Sequence, residues 1–512
     1  MKSGAVLRLA VFVAFSAALA AQGPTTVPRI WDDAALLDWA TPVAALNLRP
    51  AHYSSAEYYS VPGDNLRTYP VYSPVDEPPG YWEELQKKKP EPLVDASKIR
   101  SRQDWISAGE RAFSELDSFW TRTSDPALIA QARNPQNFEG VLKWPDGRVG
   151  ELRWVVTDQG VMLSRRECGN CHRLTVGPDG TPEITGGPPI GGRPAGILRL
   201  EAAGLGDPAT MVRSIPRFFV GDTLPTAMWR LFTVPWAPDE RVERLRSMDA
   251  QGLSQQERQR LTQIGAGINV LPRANGSPYH AAKAPDLRLL RYNRYIDATG
   301  THRLRGPEDV ARYAALITGA DRMDFGSHRI LTDEQRRVRF RYADEVLYAI
   351  AVYLMSLEPP KNPNPAAADV LMRGEQVFRR EGCVNCHVPP NYTSGRLTLA
   401  EGWKPSANHP NRDDIAPISV GTDPGLAMKT RKGTGFYKIP SLRGVWYRPR
   451  LLHDASVTTL EEMFDHTRLS PEYEPKGWNP PGVTRRSVPG HIFGLSLNAE
   501  DRSALLAFLR SL

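Results

Sequence analysis

The sequence predicts a mainly α protein made of two repeated helical domains with long loops and one small β-hairpin insertion. Three observations carry that expectation. The same landmarks recur in the same order in both halves, apolar residues fall at helical spacing at the start and end of each copy, and 45 Pro and 41 Gly punctuate 512 residues. With 41% hydrophobic and 24% charged residues, the chain is neither disordered nor collagen-like.

Residues 1–20 come first. Lys2 and Arg8 precede an apolar stretch ending in Ala18-Leu19-Ala20, the pattern of a secretory signal. Without Lys2 and Arg8 the formal charge falls from +7 to +5, too dilute to argue for nucleic acid or an anionic membrane. No later apolar run approaches the roughly 20 residues that span a bilayer. The longest, Val346 to Leu357, holds two Tyr. An exported protein, periplasmic or secreted and without stable membrane insertion, is expected.

Residues 21–100 carry no repeat landmark and read as an N-terminal arm or cap. The first copy, 101–357, contains Ala108-Gly109-Glu110-Arg111-Ala112-Phe113, Cys168-Gly169-Asn170-Cys171-His172, Lys283-Ala284-Pro285-Asp286-Leu287-Arg288, Asp297-Ala298-Thr299 and Phe325-Gly326, and ends in Ala349 to Leu357. The second, 369–512, contains Arg373-Gly374-Glu375-Gln376-Val377-Phe378, Cys383-Val384-Asn385-Cys386-His387, Lys438-Ile439-Pro440-Ser441-Leu442-Arg443, Asp454-Ala455-Ser456 and Phe493-Gly494, and ends in Ala504 to Leu512.

Trp105, Ile106, Phe113, Leu116, Phe119 and Trp120 predict a helix from Gln103 to Trp120. From Phe113 to Cys168 is 55 residues, where Phe378 to Cys383 is five, so the first copy holds an insertion. Within it, Val141 to Leu163 alternates about Pro145-Asp146-Gly147, which predicts a β-hairpin. Prolines at 359, 360, 363 and 365 break the first terminal helix and place the linker at 358–368.

All four Cys lie in two C-x-x-C-H motifs. Cys at i and i+3 share one side of a helical turn, so both sulfurs reach the vinyl groups of one haem while the next residue, His, projects onto its iron. Cys168, Cys171 and His172 would hold haem 1, and Cys383, Cys386 and His387 haem 2. A four-thiolate zinc site or a redox dithiol is the competing reading. Zinc pairs stand closer in sequence than these, and a dithiol has no need of the His.

The sixth ligand separates electron transfer from chemistry. His453 precedes Asp454 where the first copy has Ile296, and His491 lies two before Phe493-Gly494 where the first copy has Met323. Haem 2 is therefore expected to be closed by His491 or, alternatively, His453, with Met428, Met463, His466 or an open position as the remaining choices. Haem 1 is expected to be open or weakly ligated, with Met323, His302 and His328 as lesser candidates. His52, His280, His302, His328 and His409 otherwise read as surface or loop residues. Trp229, Trp236 and Trp446 are candidate electron relays or core residues. Arg288 and Arg443 would pair with haem propionates or form surface ion pairs.

The two C-x-x-C-H domains, the run Pro440-Ser441-Leu442-Arg443-Gly444-Val445-Trp446-Tyr447, the run from His453 to Glu462, and Gly490-His491-Ile492-Phe493-Gly494 together resemble the bacterial dihaem cytochrome c peroxidase superfamily. Within it they are more similar to the branch containing the dihaem rubber oxygenases than to compact peroxidases. The resemblance covers residues 101 to 512. It implies two cytochrome c-like helical domains related by pseudo-twofold symmetry, an active haem in the first and an electron-relay haem in the second. It also implies His as the distal ligand of haem 2, in agreement with His491, where peroxidases of the superfamily usually use Met.

The expected function is peroxide or dioxygen activation at the His172 haem, with electron relay through the His387 haem. A pure electron-transfer cytochrome and a dioxygenase acting on an apolar substrate are the alternatives. The expected cofactors are two covalently bound c-type haems, with calcium as a further candidate. The expected partner is a small electron-donor protein or a small-molecule oxidant.

Overall fold

The computed structural model describes residues 27–118, 121–138, 146–168, 172–176, 182–186, 220–248, 277, 279–283, 285–448, 450–480 and 482–512. The signal segment, Cys171, Phe119 and Trp120 lie outside them. Helices form the two main cores, and no sheet among the described residues exceeds three strands. None of the described helices is long and apolar enough to cross a membrane.

Two helix pairs organise the chain. Helix α1 (Arg102–Glu115) packs on α2 (Asp344–Ser356), and α3 (Ala368–Arg380) on α4 (Ala499–Ser511). Ser101 caps α1 in a reciprocal box with Asp104, and Asn498 caps α4 through Asp501. One glycine sets each crossing. A Cβ at Gly109 would overlap the Ala349 carbonyl and sit 2.7 Å from Tyr353 Cβ; at Gly374 it would overlap the Ala504 carbonyl and sit 2.5 Å from Phe508 Cβ. One turn on, Phe113 meets Tyr353 at 6.0 Å between ring centroids and Phe378 meets Phe508 at 5.4 Å. The repeated Gly-Glu-x-x-Phe is thus a helix-contact motif: glycine admits the backbone and phenylalanine fills the next layer.

Helix α1 stops at Glu115 instead of running on to Trp120. Ser118 N donates to Arg165 O at 2.7 Å and Glu167 N to Leu116 O at 2.8 Å, drawing the chain into extended pairing. Residues 357–367 are non-helical, as the prolines require, and Asn362 Nδ2 donates to Arg510 O at 2.8 Å, resting the segment on α4.

Strands β1 (Thr68–Tyr72), β2 (Arg148–Thr157) and β3 (Gly160–Arg165) form one antiparallel sheet, so the insertion pairs with the N-terminal arm. A hairpin turns at Asp158-Gln159; Val141 to Pro145, part of the expected Pro-Asp-Gly hairpin, lie outside the described residues. Thr157 pairs with Gly160 across a two-residue loop, and Gly160 takes φ 111°, a conformation open to glycine. Gly147 is held by the arm, its carbonyl accepting from Ser73 N at 3.0 Å.

The arm is part of the first core. Trp31 and Trp39 are both 0% exposed. Trp31 Nε1 donates to Tyr53 O at 2.9 Å and Trp39 Nε1 to Arg303 O at 3.1 Å. These bonds fasten residues 30–53 over the hairpin of β4 (Tyr295–Ile296) and β5 (His302–Arg303), with Thr41 N donating to Thr301 O at 2.8 Å. Cys168 packs against the same core.

Candidate functional site

The second C-x-x-C-H motif folds as the spacing predicts. Gly382, at φ 76°, ends the approach from α3, and Cys383–Asn385 form a 3-10 turn. Cys386 N and His387 N both donate to Cys383 O, at 3.3 and 2.9 Å. The turn brings Cys383, Cys386 and His387 to the wall of one cavity of about 330 Å³. His387 Nδ1 lies 3.1 Å from Tyr392 O. A carbonyl only accepts, so Nδ1 carries the proton and the lone pair is left on Nε2. Burial lowers the pKa to about 4 and keeps the ring neutral.

His491 arrives from the opposite side of the chain. Gly490 and His491 take φ 87° and 51°, and His491 N donates to Val420 O at 2.6 Å. Arg468, fully buried, donates to Met463 O, Val488 O and His491 O at 3.0, 2.7 and 2.9 Å. One guanidinium therefore holds both ends of the loop that carries His491. Arg468 carries no motif that sequence reasoning would single out; its role shows only in its backbone acceptors. Burial, then His387 and Arg468, lowers the His491 pKa to about 4.

The rings of His387 and His491 stand 6.3 Å apart, centroid to centroid. Two metal–nitrogen bonds of roughly 2.0 Å and ring radii of about 1.1 Å would place the centroids of two axial imidazoles about 6 Å apart. His491 Nδ1 is buried without a hydrogen-bond partner. His453 lines the same cavity but stacks on Tyr437, at 4.9 Å and 35°. Met463 lines the wall within the second core, Met428 packs in a separate cluster, and His466 is exposed.

The cavity wall is cationic. Lys283, Lys438, Arg448 and Arg450 line it, and burial lowers Lys283 to about 7 and Lys438 to about 8. Lys283, Lys438 and Arg448 donate to the carbonyls of Arg450, Tyr295 and Ser441, at 2.6, 3.3 and 2.9 Å. Of the carboxylates in the wall, Asp286 accepts from Tyr447 Oη at 2.8 Å and Asp297 pairs with Lys432 at 3.0 Å. Buried cations resting on carbonyls suit an anionic ligand, and haem carboxylates would meet that need. Arg288 and Arg443, the residues expected to do this, do not line the cavity. Arg288 is buried beside Asp286 at 3.7 Å and under the Tyr447 ring, and Arg443 lies over Tyr292.

Cys383 and Cys386 form no disulfide, and burial raises the Cys383 thiol to about 11 and Cys386 in the same direction. A redox dithiol needs a lowered thiol pKa, so that reading loses its chemistry. Cys168 belongs to the first core and Cys383 to the second, which separates them as partners of one zinc ion. Among the described residues no group of three or more His, Cys, Asp or Glu is arranged around a common ion.

Of the first motif, Cys168 is half-buried, Cys171 lies outside the described residues, and His172 begins the strand His172–Val176. Met323 is 1% exposed in a cluster with Met228, Leu231 and Phe325, and its sulfur accepts from Arg431 Nη1 at 3.3 Å. Trp229 and Trp236 pack beside that cluster and Trp446 Nε1 donates to Pro360 O at 3.1 Å; none of the three lines the His387 cavity. Of the histidines expected at the surface or in loops, His302 is buried in a short strand and His409 is buried in a loop, both 5% exposed.

No protein-family profile matches the chain and no curated protein matches it. Among solved structures, the hydrazine synthase of Kuenenia stuttgartiensis pressurized with xenon is similar at 16% identity and TM-score 0.21, over 34% of this chain and 56% of that one. A MauG-like protein associated with microbial copper homeostasis matches at 19% identity and TM-score 0.28, over 45% and 73%. The diheme peroxidase BthA from Burkholderia thailandensis E264 matches at 18% and 0.25, over 48% and 75%. The chain thus spans little more than half the hydrazine synthase chain it matches. Proteins of the kind the motifs resemble are among these neighbours; at such low TM-scores the likeness carries no weight for fold or activity.

Proposed function

We propose that the chain is an exported dihaem c-type oxidoreductase in which the second C-x-x-C-H site is a closed electron-relay centre and the first is the reactive one. The observation that carries this reading is the His387–His491 pair, 6.3 Å apart across a cavity that Cys383 and Cys386 also line. Cys383 and Cys386 would attach the porphyrin, His387 and His491 would hold its iron, and Lys283, Lys438 and Arg448 would receive its carboxylates. When bound, a haem supplies one-electron redox chemistry and, where an axial position is free, a place for peroxide or dioxygen.

The chain's own residues prepare the second site. Tyr392 O fixes the His387 tautomer, and Arg468 fixes the backbone of His491. Phe378, Phe464 and Leu509 supply apolar wall to the cavity. A haem held by both His387 and His491 would supply electron transfer and not substrate binding. The first copy offers no imidazole at either equivalent position, and the Met323 sulfur is engaged by Arg431. That asymmetry supports an accessible first site, its metal held by His172.

Electron paramagnetic resonance of the ferric protein, with a pyridine haemochrome assay for haem content, tests the proposal. Two c-type haems per chain are expected, one low-spin and one high-spin, with hydrogen peroxide consumed in the presence of a reductant. Two low-spin centres with no reaction toward peroxide would make the protein an electron carrier.

A further inference from the structure

A second pair of histidines is buried away from the His387 cavity, where the arm meets the first core. His302 is 5% exposed, and its Nδ1 lies 2.9 Å from Thr301 Oγ1. The Thr301 hydroxyl donates to Asp297 Oδ2 at 2.9 Å, so it accepts from His302 Nδ1–H and the imidazole lone pair is left on Nε2. That Nε2 is buried with no hydrogen-bond partner, and so are both ring nitrogens of His52, which the arm supplies. Burial holds His302 well below its ordinary value and His52 at about 4, so both rings are neutral. Three sheltered ring nitrogens without partners are costly unless a ligand takes them.

The ring centroids of His52 and His302 are 5.7 Å apart. One ion bound by a nitrogen from each ring, at roughly 2.0 Å, allows centroid separations up to about 6 Å, so 5.7 Å fits a bent two-imidazole arrangement. The chain Asp297–Thr301–His302 is the outer-shell support that metal-bound imidazoles generally have. Trp39 lies against both rings, at 4.2 Å from His302 and 5.3 Å from His52, and the Arg312 guanidinium lies over the Trp39 ring at 5.3 Å.

The charges nearby select a monovalent ion. Asp297 is occupied by Lys432, Thr301 and Tyr313, and Asp309 by Arg305 and Arg312. Among the described residues Asp297 is the carboxylate that acts on His302, and Lys432 and Arg312 oppose it, so a second positive charge on the ion is not offset; two imidazoles also fall short of the four ligands that zinc takes. Imidazole nitrogen suits copper. We propose that His52 and His302 form a Cu(I)-binding site that joins the N-terminal arm to the first core.

The full-length, haem-loaded protein is titrated anaerobically with Cu(I) against a chromophoric chelator, with ascorbate present, and copper X-ray absorption defines the neighbours. One copper per chain with nitrogen neighbours is expected. His52→Gln and His302→Gln should each abolish it, Thr301→Val should weaken it about tenfold with both imidazoles kept, and His328→Gln should leave it unchanged. Circular dichroism checks that each variant folds; should a histidine variant misfold, Thr301→Val and the absorption spectrum of the parent protein decide.

No copper taken from the chelator would overturn the site, as would copper held equally by His52→Gln and His302→Gln. A neighbour shell of oxygen or sulfur would do the same. A change in the haem spectrum on either substitution, with no copper added, would assign these imidazoles to an iron instead and equally end the proposal.

Discussion

Met323 and His491 share one backbone conformation, φ 53° and 51°, two residues before Phe-Gly in each copy, yet their side chains meet different surroundings. His491 faces His387 across a cavity, whereas Met323 is packed in a core with its sulfur held by Arg431. The duplicated loop thus presents an imidazole to a cavity in one half and packing in the other. His491→Ala should convert the low-spin signal of the second haem to high-spin and let carbon monoxide bind after reduction. His453→Ala and Met323→Leu should leave it low-spin. A low-spin signal that survives His491→Ala would remove His491 as the ligand.

The two helix crossings rest on glycine in the same way, so they should respond alike. A methyl group at Gly109 or Gly374 meets backbone carbonyl, which cannot move aside as a flexible side chain would. Gly109→Ala and Gly374→Ala should each cost about 1–3 kcal/mol through overpacking, read from denaturant melts. Alanine favours a helix intrinsically, so stabilisation by either change would show that the helices are not in close contact there.

How much of this was legible in the sequence follows from what is local. The second C-x-x-C-H turn and the helix ends at Ser356 and Ala368 depend on neighbours in the chain, and the motif and the prolines announced them. His491 was reached through the internal repeat, a long-range signal carried within one sequence. Arg468 and the burial of His302 and His52 were not legible, because each depends on segments brought together only by folding. The turn at Asp158-Gln159 carries no Pro-Asp-Gly signal, and the hold of Ser73 on the Gly147 carbonyl is a contact from the arm that no local pattern records. The role of Lys283 at the second cavity depends on a contact between the halves that no pattern within either half records.

Arg122 joins the arm to the insertion. It forms 2.8 Å bonds to both Asp64 and Asp117, and the Asp117 side chain is 0% exposed. Arg122→Ala would leave that carboxylate buried without its main counter-charge, an effect of about 3–5 kcal/mol. The loss should show as a lowered melting temperature and as earlier proteolysis within residues 60–70. A variant as stable as the parent would mean that water replaces the guanidinium.

The cationic cavity wall predicts how stability depends on pH and on the ligand. Burial lowers Lys283 from an ordinary 10.5 to about 7, and Lys438 to about 8. Between those values and 10.5 the unfolded chain binds more protons than the folded one, so folded stability increases with pH across that window. In the other direction it is lost progressively as pH falls from 10.5, the loss ending at about 8 for Lys438 and about 7 for Lys283, below which each is protonated in both states. An anion seated against the two ammonium groups reverses their desolvation penalty and raises both values toward normal. A Cys383→Ala, Cys386→Ala variant, which cannot attach a haem at the second site, should therefore become more stable as pH rises above 7. The haem-loaded protein should show a flatter profile over the same range. Melting temperatures of both proteins across that range provide the test: equal slopes would mean that the lysines do not face the haem carboxylates.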